Sequence, residues 1–139
     1  MHKYEKLILY TDGGARGNPG PAGIGVVIFD KAGNVAGKIS EYIGEATNNQ
    51  AEYKALIAGL AKAKELGGQE IEVFLDSELV VKQLNRKYRV KDKRLALLFV
   101  KAYNSSLGFK KIIFKHILRE KNDLADKLVN LALDKRLCY

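Results

Sequence analysis

The chain has 139 residues, 47% hydrophobic and 29% charged, a balance that suits one globular domain over residues 1–139 with a core large enough to need no staples. No run approaches the roughly 18–20 apolar residues of a membrane span, so no membrane partner is expected. The segment Met1-His2-Lys3-Tyr4-Glu5-Lys6 leads directly into strand-like sequence with no secretory signal, and the one cysteine, Cys138, excludes an internal disulfide and a cysteine metal site, which together point to a cytoplasmic protein.

In chain order, Leu7-Ile8-Leu9-Tyr10 is a short continuous apolar run that predicts a strand buried on both faces. It is expected to stop at Asp12-Gly13-Gly14, with a loop through Ala15-Arg16-Gly17-Asn18-Pro19-Gly20-Pro21. Ile24 to Phe29 predicts a second strand, Lys31-Ala32-Gly33-Asn34 a turn, and Val35 to Ile43 its hairpin partner. Thr47-x-x-Gln50 is a capping-box pattern opening a helix, whose stripe is Tyr53, Leu56, Ile57, Leu60 and Ala61 and whose stop is Gly67-Gly68. Ile71 to Leu75 predicts another strand, and Asp76-Ser77 caps a short helix through about Leu84.

Between Lys82 and Lys101 stand eight basic residues (Lys82, Arg86, Lys87, Arg89, Lys91, Lys93, Arg94, Lys101) against one acid, Asp92, with Tyr88 in their midst. Together with the net charge of +8, this clustering points to a polyanionic partner, because lysine and arginine gain affinity by releasing counterions from phosphates. A helix is predicted over roughly Arg94 to Leu107, a last strand over Ile112 to Ile117, and a terminal helix capped by Asn122 with a stripe of Leu124, Leu128, Leu131 and Ala132. The order β-β-β-α-β-α-α-β-α combines a meander with αβ crossovers, an α/β arrangement with a mixed sheet flanked by helices.

Four carboxylates sit where strands end or helices begin: Asp12, Glu52, Asp76 and Asp126. Adjacent parallel strands ending at Asp12 and Asp76 would open onto the usual ligand crevice of an open sheet, and Glu52 and Asp126 would project towards it from helix starts. Brought together they would repel one another and invite divalent cations. Oxygen-only ligands select hard ions such as Mg²⁺ or Mn²⁺, and two of these about 4 Å apart can clamp the attacking and leaving oxygens of a phosphoryl displacement. The Gly13–Gly20 loop lacks the ending of a P-loop and is followed by a strand; its small residues let a duplex backbone approach main-chain amides and Asn18.

Taken together, Thr11-Asp12-Gly13-Gly14 with Gly17-Asn18-Pro19-Gly20-Pro21-Ala22-Gly23, Thr47-Asn48-Asn49-Gln50-Ala51-Glu52, Asp76-Ser77 and Asn122-x-x-Ala125-Asp126 resemble the type 1 ribonuclease H family over essentially the whole chain. The resemblance implies the ribonuclease H-like fold: a five-stranded mixed sheet, three strands in an antiparallel meander plus parallel strands, with helices on both sides. It implies a monomeric endonuclease, a hydrolase that cuts the RNA strand of RNA–DNA hybrids with two Mg²⁺ ions (Mn²⁺ as a substitute), leaving 5′-phosphate and 3′-hydroxyl ends. Asp12, Glu52, Asp76 and Asp126 fall on the family's four metal-binding acids. Asn18, Asn48 and Asn49 fall on positions that contact the hybrid and Thr47 on one that holds a DNA phosphate; Gly13, Gly14 and Arg16 join the expected substrate contacts.

Many members carry a mobile histidine before the last acid. Here His116 is placed in the final strand, and Arg119 is expected as the catalytic auxiliary group on a phosphate. Glu78 stands where many members have a glutamine, and Lys87 to Lys93 replaces a longer helical basic handle. Two other readings stay open: a DNA nuclease of the resolvase or transposase type, sharing the acids but not the Asn48-Asn49 pair, and a non-catalytic domain binding hybrid or duplex RNA.

Overall fold

The computed structural model describes residues 4–137; Cys138 lies outside them, and with it the reading of that cysteine. The strands are β1 (Tyr4–Ala15), β2 (Gly20–Asp30), β3 (Val35–Ala46), β4 (Gly68–Leu75) and β5 (Lys111–His116). The helices are α1 (Asn48–Glu65), α2 (Glu78–Leu84), α3 (Lys93–Ser106) and α4 (Asp123–Leu137), with a 3₁₀ turn over Arg119–Lys121 that the sequence did not announce. No helix among the described residues is long and apolar enough to cross a membrane.

The five strands form one sheet in the order β3-β2-β1-β4-β5. β1–β2 and β2–β3 are antiparallel, while β1–β4 and β4–β5 are parallel, which is the mixed sheet expected from a meander followed by crossovers. Leu7, Leu9, Val26, Ile28, Ile71, Val73 and Leu75 line one face, and α1 buries Tyr53, Leu56 and Leu60 against them. Each of these side chains stabilises the fold by about 1.5–3 kcal/mol through burial.

On the other face α4 packs over β2 and β3, and glycines make room for it. A Cβ at Gly25 would lie 2.2 Å from the Ala125 carbonyl oxygen, so only glycine admits the α4 backbone there. α4 does not extend across β4 and β5. Ile8 and Tyr10 are therefore only half-buried, and the expectation of a strand covered on both sides holds for one side alone. Tyr10 fills the gap by stacking on Phe74, with ring centroids 5.0 Å apart, and meeting Phe29 edge-on.

The helix starts follow the capping residues. Gln50 N–H donates to Thr47 Oγ1 (3.2 Å) and Thr47 N–H to Gln50 Oε1 (2.9 Å), completing the capping box. Ser77 accepts from Val80 N–H and Asp92 from Arg94 and Leu95 N–H, opening α2 and α3. Each such cap stabilises its helix by about 1 kcal/mol. Residues 85–92, between α2 and α3, form a short basic loop without a helix, matching the handle-less reading.

β1 runs further than its composition suggests. Pairing with β2 continues through Asp12↔Gly25, Gly13↔Ile24, Gly14↔Gly23 and Ala15↔Ala22, where a loop was expected. Its parallel partner β4 leaves at Thr11↔Leu75. Asp12 thus lies inside a strand, at the point where one of its two neighbours departs.

Candidate active site

The end of β4 places Asp76 beside the β1 segment that carries Asp12, because Leu75 is paired with Thr11. α1 supplies the third acid through a close approach of backbones. A Cβ at Gly13 would lie 2.2 Å from the main chain of Ala51, so the glycine lets the first turn of α1 rest on β1. Gly13 N–H then donates to Glu52 Oε1 (3.2 Å). One carboxylate oxygen from each of Asp12, Glu52 and Asp76 lies within 4.8 Å of the others.

Asp12 is 7% exposed and Glu52 5%. Burial pushes the Asp12 carboxyl up from 3.8 to about 7, and the negative charges of Asp76 and Asp126 push the same way, against a lowering by hydrogen bonding to Glu52. Burial likewise holds Glu52 well above the usual range, and its contacts with Asp12 add to the effect. Glu52 Oε2 is buried with no protein donor. A buried carboxylate oxygen facing other carboxylates needs a proton or a cation between them. The donor set is all oxygen, which suits a hard divalent cation. The residues therefore fit such an ion, with Asp12, Glu52 and Asp76 able to hold it.

Asp126, on the first turn of α4, lines the same cleft without joining the tight group of three. The cleft, about 380 Å³ in volume, is lined by Asp12, Gly13, Gly14, Arg16, Asn48, Asn49, Glu52, Asp76, Arg119 and Asp126, among others. Ten of the residues expected from sequence thus share one concavity. Asn18 and Thr47 line a neighbouring cleft of about 200 Å³ with Asn49, Gln50, Asp92 and Arg94.

The amide residues build the rim. Asn48 Oδ1 accepts from Ala15 N–H (2.9 Å), and Asn48 N–H donates to Asn18 Oδ1 (3.0 Å), tying the 15–18 segment to the start of α1. Their Nδ2 groups have no partner among the described residues and remain available to a ligand. Arg16, still exposed, reaches across to α4: its Nη2 donates to Asp134 Oδ1 (2.7 Å) and Asn130 Oδ1 (3.4 Å). Arg119, with its side chain 81% exposed, lies 3.8 Å from Asp126 Oδ1. His116 ends β5 on the surface and does not line the cleft.

Two contributors escaped the sequence reading. Asn130 sits one turn beyond Asp126 and donates to its main-chain oxygen (3.1 Å) and its Oδ2 (3.4 Å); the i+4 spacing on α4 is the signal that could have found it. Asn122, read as a helix cap, does not act as one. A cap accepts from the helix, whereas the Asn122 Oδ1 has no donor and its Nδ2 donates to Thr11 O (2.9 Å) and Asp76 Oδ2 (3.1 Å).

Away from the acids, Arg86, Lys87, Tyr88 and Arg89 of the basic loop join Gln83 and Phe99 around a cavity of about 510 Å³. The Lys82 ammonium sits over the Tyr88 ring, 4.9 Å from its centroid, and the Arg86 guanidinium lies 5.7 Å from that of Tyr103.

A family model described as reverse transcriptase-like matches residues 10–132. The bifunctional protein Rv2228c of Mycobacterium tuberculosis is 43% identical over 130 residues, covering 93% of this chain but 36% of that protein. The chain thus spans about a third of the length of the curated mycobacterial relatives it matches. The ribonuclease H of Ruthia magnifica subsp. Calyptogena magnifica is 36% identical, covering 94% of this chain and 97% of that protein. The crystal structure of LC11-RNase H1, a compost-derived protein solved with an RNA/DNA hybrid, superposes with a TM-score of 0.90 at 51% identity, covering 94% of this chain and 99% of that one. With the sheet order, the acid cluster and full-length relatives in agreement, the chain belongs to the ribonuclease H family.

Proposed function

We propose that this chain is an endonuclease that hydrolyses the RNA strand of RNA–DNA hybrids, leaving 5′-phosphate and 3′-hydroxyl ends. The observation that carries it is the convergence of Asp12, Glu52 and Asp76 within 4.8 Å at the floor of a cleft rimmed by Asn48 and Asn49. The relative solved with a hybrid supports the same substrate.

Asp12, Glu52, Asp76 and Asp126 would hold two Mg²⁺ ions, with Mn²⁺ as a substitute. The chemistry supplied by the bound cations is activation of an attacking water and neutralisation of charge on the leaving oxygen. The chain's own residues position the substrate. Gly13 and Gly14 present main chain without side-chain bulk, so a backbone can approach the acids. Asn18, Asn48 and Asn49 offer neutral donors that suit 2′-hydroxyls and base edges in a shallow minor groove, the chemical difference between RNA and DNA. Thr47 and the nearby Arg94 suit a phosphate of the DNA strand, and Arg16 and Arg119 place positive charge beside the cleft. Within this reading the chain works as one domain, as a cytoplasmic monomer.

The test is a gel assay with end-labelled RNA–DNA hybrid, duplex RNA, duplex DNA and single-stranded RNA, in Mg²⁺, Mn²⁺ or chelator. Cutting of the hybrid's RNA strand that stops in chelator is the expected result. Preference for any other strand would overturn the reading.

A further inference from the structure

We infer that Asn122 is a positioning residue that locks the Asp76 carboxylate to the strand carrying Asp12, an inference that rests on the nuclease reading above. Asn122 is 1% exposed, so it touches neither solvent nor nucleic acid. Its two amide hydrogens serve different elements: one goes to the carbonyl of Thr11, the residue before Asp12, and the other to Asp76 Oδ2. Its main-chain carbonyl accepts from Asp126 N–H (3.1 Å). One residue therefore ties together the supports of three acids that come from β1, the end of β4 and the start of α4.

The chemistry of the amide explains the choice of residue. A lysine or arginine here would also bond Asp76, but it would neutralise part of the charge that attracts a cation. A neutral amide orients the carboxylate and leaves that charge intact. It engages Oδ2 alone, so Oδ1 stays free to turn to the cluster. The Asn122 Oδ1 remains buried without a donor. A side chain kept for stability alone would not bury an unpaired acceptor, since that carries a desolvation cost; the two donated bonds are what this position supplies. Residues that hold metal-ligating carboxylates in this way commonly change metal affinity or rate when removed.

The test compares the whole chain with Asn122→Ala and Asn122→Asp, the second keeping the shape while removing the donor. The expected result is a kcat per folded molecule lower by about 10–100-fold, with KM for the hybrid unchanged. In Asn122→Ala, Mg²⁺ affinity measured calorimetrically without substrate should also weaken. A purely structural role would lower the melting temperature and leave kcat per folded molecule and Mg²⁺ affinity at wild-type values; that pattern overturns the inference while sparing the nuclease reading. A wild-type chain that cuts no hybrid overturns the reading beneath it. Should neither variant fold, the wild type decides by NMR. The Asn122 side-chain amide resonances should shift during a Mg²⁺ titration with the half-saturation seen by calorimetry, and resonances unmoved at saturating Mg²⁺ reject the inference.

Discussion

Asp12 and Asp76 each contribute a formal charge that neighbouring acids make costly, so replacing either with an amide leaves a folded protein with a weakened cation site. Asp12→Asn and Asp76→Asn are each expected to lower kcat by more than the roughly 10–100-fold that loss of an outer hydrogen-bond partner costs. Hybrid binding, followed by mobility shift, should survive in both. The buried acids also give the stability of the cation-free protein a characteristic pH dependence. Asp12 holds its proton up to about pH 7 when folded but loses it near 4 when unfolded. Between those values the folded state binds more protons than the unfolded one, so this group's contribution to stability falls as pH rises. In chelator, Asp12→Asn should therefore melt above the wild type at pH 8, with the gap closing towards pH 4. Between the two candidates for an auxiliary group, Arg119→Ala should slow turnover more than His116→Ala, since Arg119 lines the cleft and His116 does not. The four acids were legible because each follows a recognisable apolar strand run or lies near a recognisable helix start, although β1 itself continues past Asp12. Asn122 was misread because an asparagine before a helix ordinarily signals a cap, and the partners that redirect it lie 46 and 111 residues away.

Elements were legible where local chemistry sets their limits. Thr47, Ser77 and Asp92 open helices because their side chains reach the free N–H groups of the first turn. The far end of β1 was not legible, because Gly13-Gly14 reads as a turn when considered alone. In the fold these glycines are strand residues, and Gly13, like Gly25 across from Asp12, admits a helix backbone at close range. Gly25→Ala is accordingly expected to destabilise the protein by about 1–3 kcal/mol through overpacking against Ala125. Thermal and urea denaturation would measure it, and a Cβ accommodated without loss of stability would show that α4 can yield.

At the scale of the molecule, the mixed sheet followed from the order of elements, but the closeness of the acids did not. Residues 12, 52 and 76 meet only because β1 and β4 are paired in register and α1 settles on Gly13. Most of the net charge of +8 comes from residues 82–101, around the 85–92 loop, whose Arg86, Lys87 and Arg89 line a cavity that the four acids do not share. Affinity for a hybrid should thus fall linearly on a log–log scale with added salt, and replacing Lys87 or Arg89 with alanine should each flatten that slope by about 1 if the residue meets a phosphate. An unchanged slope would remove that loop from the binding surface.

β1 occupies the middle of the sheet, hydrogen-bonded along both of its edges until β4 departs beside Asp12. Amide protons of such a strand are released to deuterium only when the entire chain comes apart. The acid cluster is thereby moored to the slowest-breathing stretch of the backbone, and its alignment persists through the local fluctuations of the surrounding surface.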